Sequence, residues 1–282
     1  MCMKPSPAMS LFNVGVSSAA PTPVVFIHGL WLHSGSWGAW VDLFKEEGYA
    51  PVAPGWPGDS ATVEETRGNA GQVAGHGIDE VVDHFAQAIG ELDGKPIVIG
   101  HSFGGLIAQR LLGEDHAVAG VAIDPAPIKG IVFLPPSALR VASIALRNPV
   151  NRNRAVALSR EQFRYGFGNA VSEEESDELY DRWAIPSPGK PLFEAAFANF
   201  SPGSPAKVNT KNSARGPLLV TAGGKDHTIP AAVSRSTRKQ YHKSSAITDL
   251  QEFPDRGHSL TIDKGWREVA DAVLAWLKDR GF

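Results

Sequence analysis

The segment KPIVIGHSFGGLIAQRLL, Lys95 to Leu112, constrains the fold more than any other part of the chain. An apolar β-branched run stops at Gly100, a serine stands between glycines, and a helical pattern starts at once. Gly100-His101-Ser102-Phe103-Gly104 matches G-x-S-x-G in the strand–turn–helix setting that an exposed, strained serine requires. A turn this tight forces the serine into an unfavourable backbone conformation, and Cβ atoms beside it would strike the adjoining strand and helix. The Ser102 hydroxyl then stands at a helix N-terminus, where backbone N–H groups and the helix dipole favour developing negative charge. The competing reading is a glycine-rich turn with an incidental N-capping serine.

A serine hydroxyl is a weak nucleophile, so partners decide between these readings. Short apolar runs alternate with amphipathic helical stretches along the chain. Strands are predicted at 22–29, 49–55, 96–100, 117–124, 216–224 and 246–254. Helices are predicted from Trp37 to Gly48, from Ile78 to Leu92, after Ser102, and from Gly265 to Asp279. Solidly apolar strands alternating with helices imply an α/β fold whose parallel sheet is covered on both faces.

A base and an orienting acid would come from later strand ends, in the order Ser, Asp/Glu, His. Asp226, in LLVTAGGKDHTIP, follows the fifth predicted strand, and His258, in LQEFPDRGHSLTID, follows the sixth. Asp124, at the end of the fourth, is the other candidate acid. His242 falls on a helix, His227 competes with Asp226 for one turn, and Asp255 and Asp263 solvate the loop around His258. The loop FIHGLWLHSGSW after the first strand supplies one oxyanion N–H, from Leu30 or, with an offset of one, Trp31. Phe103 supplies the other, and His28 reads as a loop brace.

Between Ile128 and Ser213 the alternation fails: helical patterns and proline-rich joints occur, with no convincing strand. The interval is rich in aromatic residues, and its arginines read as solvating helix faces. Placed between two strands of one sheet, it is predicted to be a helical cap (128–213) over a core of 23–127 and 214–282. Such a cap covers the carboxyl edge, where open α/β sheets bind ligands. Trp31, Phe163 and Trp183 are the aromatic candidates for an apolar substrate wall.

With 282 residues and a net charge of −3, the chain can bury a large core and has no overall electrostatic case for nucleic acid or an anionic membrane. It contains one cysteine, Cys2, so an internal disulfide or thiolate metal cluster is excluded and a cytoplasmic setting is the expectation. No apolar stretch has spanning length. Residues 1–22 read as a flexible lead-in rather than a secretory signal, with Met9 an alternative start. Phosphate loops, dinucleotide fingerprints and spaced metal ligands are lacking, so neither cofactor nor metal is expected.

The chain resembles the α/β-hydrolase superfamily over nearly its whole length, through HGLWLHSGSW, GHSFGG, GGKDHTIP and GHSLTID. Within it, it is similar to bacterial carboxylesterases, including members that open acyl-homoserine lactones or cleave pyrethroid-type esters. The resemblance implies Ser102 as nucleophile, Asp226 as acid and His258 as base, acting on a small-molecule ester or lactone. Serine at 102 separates it from relatives with aspartate there, whereas carbon–carbon bond hydrolases and thioesterases stay open. A non-catalytic receptor on the same fold is the reading from another class. One departure is Gly55 in APGWPGDS, where the family often has aspartate, which affects loop bracing.

Overall fold

The computed structural model describes residues 20–282; Met9 and most of the predicted lead-in lie outside the described residues. All six predicted strands form: β1 (Pro23–Ile27), β2 (Ala50–Val52), β3 (Ile97–His101), β4 (Ala119–Ile123), and, after the inserted segment, β7 (Leu218–Gly223) and β8 (Thr248–Phe253). They make one parallel sheet in the order β2-β1-β3-β4-β7-β8. Pro51 sits in edge strand β2, where a missing N–H costs the ladder least.

Strand side chains alternate between two cores. Val24 and Phe26 of β1 join Trp37, Trp40 and Phe44 and the apolar stripe Val269, Val273 and Leu277. These come from α1 (Gly38–Glu46), the short turn before it, and α10 (Trp266–Asp279). Val25 and Ile27 face the other way, onto Val81, Val82 and Phe85 of α3 (Ile78–Gly90) and Leu106 and Ile107 of α4 (Phe103–Gly113). Each central strand is therefore buried on both faces, as its unbroken apolar run requires.

Glycine is needed where α4 meets β1 and β3. A Cβ on Gly104 would overlap the carbonyl oxygens of Ile27 and His28, and one on Gly100 would overlap the Gly104 carbonyl. Backbone cannot yield as a flexible side chain can. Gly104→Ala should therefore cost about 3 kcal/mol, roughly 10 °C in Tm for a chain of this size. Gly90, at the exposed end of α3, has nothing within 4 Å of a Cβ. Gly90→Ala should leave Tm unchanged or raise it slightly. Thermal unfolding of the two variants beside the parent measures the contrast.

Between β4 and β7 run four helices: α5 (Pro136–Leu146), α6 (Arg160–Gly166), α7 (Glu173–Trp183) and α8 (Lys190–Ala196). A small antiparallel pair, β5 (Ala155–Val156) with β6 (Ser187–Pro188), corrects the expectation that this interval holds no strand. Two-residue strands have no periodicity to read, and Pro188 argues against one. The loop after β1 is fastened to the inserted segment: His33 N–H donates to Trp183 O (3.0 Å) and Ile185 N–H to Trp31 O (3.0 Å).

Candidate active site

Ser102 has φ 56° and ψ −120° at the junction of β3 and α4. A non-glycine residue there is strained by about 1–3 kcal/mol, and the surrounding backbone holds it. Ser102 N–H donates to Ile123 O (2.9 Å), and Ser102 O accepts from Gly105 and Ala126 (2.9 Å each). Trp31 (φ 67°) and Asp124 (φ 43°) are strained in the same sense. Three of the four non-glycine residues with positive φ among the described residues thus lie around one spot.

Asp226 and His258 are fully buried, and His258 Nδ1 lies 2.6 Å from Asp226 Oδ2. With the carboxylate as acceptor, Nδ1 carries the proton and Nε2 is free to take one. Asp226 is itself held by its turn: Oδ1 accepts from the N–H groups of Thr228 and Ile229, both at 2.7 Å. Those two residues come from the TIP that follows Asp226 and His227, so the local sequence orients its own acid. His258 Nε2 is buried without a hydrogen-bond partner among the described residues. Its ring lies 4.5 Å from that of His101, the residue before Ser102, and 4.8 Å from Phe167. No hydrogen bond spans Ser102 and His258 among the described residues; in a substrate-free site this contact is commonly long and tightens on binding.

Asp124 is the candidate acid that makes no hydrogen bond to the imidazole, whose Nδ1 is taken by Asp226. The Asp124 carboxyl oxygens accept from Thr221 Oγ1 and Gly223 N–H, both at 2.9 Å. Donor atoms of Asp124, Asp226 and His258 lie within 4.8 Å of one another, and all three residues are buried. Burial, and then the charge of Asp226, push the Asp124 carboxyl well above the usual carboxylate range. Of the two carboxyls, Asp124 is the one whose neutral form burial favours. His101 is shifted the other way, well below the usual histidine range, by burial and then by His258.

These opposite shifts have opposite stability consequences. For His101 the folded value lies below the unfolded one near 6.5, so its contribution is present above that pH and lost on acidification. For Asp124 the folded value lies above the unfolded one near 3.8, so its contribution is present below that pH and lost as pH rises. Above the unfolded carboxylate value and below the unfolded histidine value, the two slopes oppose. His101→Gln should expose the Asp124 slope, and the variant's Tm should fall with rising pH across that window more steeply than the parent's. Parallel Tm–pH curves would contradict these assignments.

The other predicted residues fall as follows. Leu30 and Phe103 are buried, and their N–H groups find no protein acceptor among the described residues. The Trp31 N–H, the alternative donor, is taken by Ser187 Oγ at 2.5 Å. Trp31 instead lines an apolar cavity of roughly 820 Å³, open mouth included, beside Ser102 and Phe103. Ala138 and Ala142 of α5, Leu192 of α8 and Ile229 complete much of its wall.

Phe163 and Trp183 do not line this cavity. Phe163 stacks on Phe167 at 4.9 Å inside the core, and Trp183 lies under Arg182. Aromatic content marked the right segment, but small and aliphatic side chains on α5 and α8 form the surface. His28 braces its loop, as expected: Nε2 lies 3.0 Å from Asp59 Oδ2, and the Trp56 indole N–H donates to His28 O at 3.0 Å. Asp59 also accepts from Trp56 N–H (3.1 Å), so a carboxylate four residues beyond Gly55 packs against that glycine and supplies the bracing. The aspartate in GWPGDS was the available sign. His242 sits in the turn just past α9 (Ala231–Gln240) rather than on a helix, and Asp263 is buried, accepting from Ser259 Oγ (3.0 Å) and Gly265 N–H (2.9 Å). Asp255 is exposed and pairs with Lys225.

A parallel sheet covered on both faces, with a strained serine at one strand end and a buried Asp–His pair at two others, defines the class. Residues 24–272 match the alpha/beta hydrolase family, and the chain belongs to it. A comparison with curated proteins gives no match. Similar solved structures include a monoacylglycerol lipase from Paleococcus ferrophilus, 23% identical with a TM-score of 0.64, covering 93% of this chain and 97% of that one. A thermophilic esterase from Thermogutta terrifontis is 18% identical (TM-score 0.65; 93% and 92% covered). A pyrethroid hydrolase from Sphingobium faniae JZ-2 is 20% identical (TM-score 0.61; 90% and 96% covered). At these identities the likeness is one of fold.

Proposed function

We propose that the protein is a serine hydrolase that cleaves carboxylic esters of apolar substrates, with Ser102 as nucleophile, His258 as base and Asp226 as its orienting acid. The observation that carries this reading is the buried 2.6 Å Asp226–His258 contact, which leaves Nε2 unpartnered beside the turn that presents Ser102. His258 Nε2 takes the Ser102 proton as Oγ bonds to the ester carbonyl carbon. The Leu30 and Phe103 N–H groups hold the oxyanion. His258 returns the proton to the leaving alcohol, and water repeats the cycle to release the acid and restore Ser102.

The segment 128–213 acts as a cap whose α5 and α8 make the substrate wall. Lipid and pyrethroid esters, named for two structural relatives, are bulky and apolar, which agrees with that wall. Lactones present the same carbonyl and are the alternative substrate class.

The test is initial hydrolysis rates on p-nitrophenyl acetate, butyrate and octanoate and on a long-chain acyl-homoserine lactone. Each methylene buried in the cavity contributes about 0.8 kcal/mol, so kcat/KM should rise roughly tenfold from acetate to butyrate. Preference for acetate would remove the cavity from the acyl side. Absence of turnover on all four would count against the ester reading itself.

A further inference from the structure

The chain carries a net charge of −3, yet no Asp or Glu occurs between Asp124 and Glu161, a stretch that holds Lys129, Arg140, Arg147, Arg152, Arg154 and Arg160. Arg160 pairs with Asp181. The other five reach no carboxylate at ion-pair distance among the described residues, and Arg140, Arg147, Arg152 and Arg154 are exposed. Arg140 lies over the Tyr165 ring, and Glu161 shares a surface hollow with Arg140 and Arg147 without pairing.

The same stretch exposes large apolar side chains. Val132 is 86% exposed and Phe133 67%; just past α8, Phe197 is 60% exposed and Phe200 84%. Hydrogen bonds gather them: Gly130 N–H donates to Asn199 Oδ1 (2.7 Å), and Asn199 Nδ2 donates to Ile131 O (2.8 Å). Leu134, next to Phe133, lines the cavity, as does the half-exposed Leu139. Arg152 borders a hollow with Phe193, Phe197 and Glu194, whose carboxylate is turned to Ile78 N–H (2.7 Å). Exposed apolar side chains and cations without a carboxylate partner thus sit on the same segments that supply the wall of the apolar cavity.

We propose that this face docks on a negatively charged lipid–water interface, with Phe133 and Phe200 entering the acyl boundary and Arg140, Arg147 and Arg152 meeting the anionic headgroups. Two weak signals, apolar insertion and a basic patch, are what reversible surface attachment needs. Continuity with the cavity favours an amphiphile surface as the occupant, because a chain leaving that surface passes directly into an apolar wall. The overall negative charge conceals this: what acts within a Debye length is the local sign.

The experiment is sedimentation of the full chain with vesicles of phosphatidylcholine alone or mixed with phosphatidylglycerol, at low and high salt. Binding is read without turnover, so it stands or falls apart from the ester reading. The parent should partition onto the anionic vesicles and be released by salt. At roughly fivefold per cation removed, a variant carrying Arg140→Glu, Arg147→Glu and Arg152→Glu should bind at least ~100-fold more weakly. Phe133→Ser with Phe200→Ser should weaken binding by ~10-fold or more. Both variants should keep the parent's Tm and its turnover of soluble p-nitrophenyl acetate within about twofold, since neither touches the cavity wall. No binding to anionic vesicles at low salt would overturn the proposal, as would equal binding to both vesicle types. Concentration-dependent dimerisation lost in the Phe133/Phe200 variant, without vesicle binding, would assign the face to a second copy instead.

Discussion

Ser102→Ala is expected to lower ester turnover by about 10⁶-fold while leaving the fold intact, on the serine-protease precedent. The change removes only Oγ. The backbone contacts that hold position 102, from Ser102 N–H to Ile123 O and from Gly105 and Ala126 to Ser102 O, do not involve the side chain. The substrate cavity is unchanged, so a ligand should still bind. Alanine keeps its Cβ at φ 56°, and the strain with it; Ser102→Gly would release it and should raise stability by about 1–3 kcal/mol. An inactive Ser102→Gly variant more stable than the parent would show that the turn is held against its own preference for the sake of the hydroxyl. Retained turnover in Ser102→Ala would end the assignment of Ser102 as nucleophile.

Asp226→Asn should lower kcat by about 10⁴-fold, the size seen when the orienting acid of a serine protease is made an amide. The cause is tautomeric. Asparagine Oδ1 can still accept from Thr228 and Ile229, which leaves Nδ2 facing His258 Nδ1. A donor there forces the proton onto Nε2, where a base must be empty. Asp124→Asn is the control. Burial already favours the neutral form at 124, and Thr221's hydroxyl can turn to suit an amide, so the loss should stay below about tenfold. Comparing kcat for the two variants on one soluble ester separates the acids. Equal large losses would make the buried pair a joint acid.

Most of the scaffold was legible in the chain because its signals are local. Six apolar runs separated by amphipathic helices predict a doubly covered sheet, and all six strands form within a few residues of their predicted limits. The placement of Ser102, Asp226 and His258 at strand ends was legible because parallel strands bring their carboxyl ends to one edge. The bracing by Asp59 was missed because it depends on how the loop after β2 folds back onto His28. Phe163 and Trp183 were misplaced as cavity walls because aromatic content says that a segment buries surface, not which surface.

What the sequence by itself determined was the order of elements, the strained serine turn and the residues that follow each strand, since periodicity and glycine sterics act over a few neighbouring positions. Tertiary structure decided how Asp124, the other candidate, is occupied, because its carboxyl is taken by Thr221 and Gly223 of β7, far away in sequence. It also decided that α5 and α8 wall the cavity, so that the acid-free stretch supplies part of its lining. Those are relations between segments, and only packing the inserted helices over the sheet edge sets them.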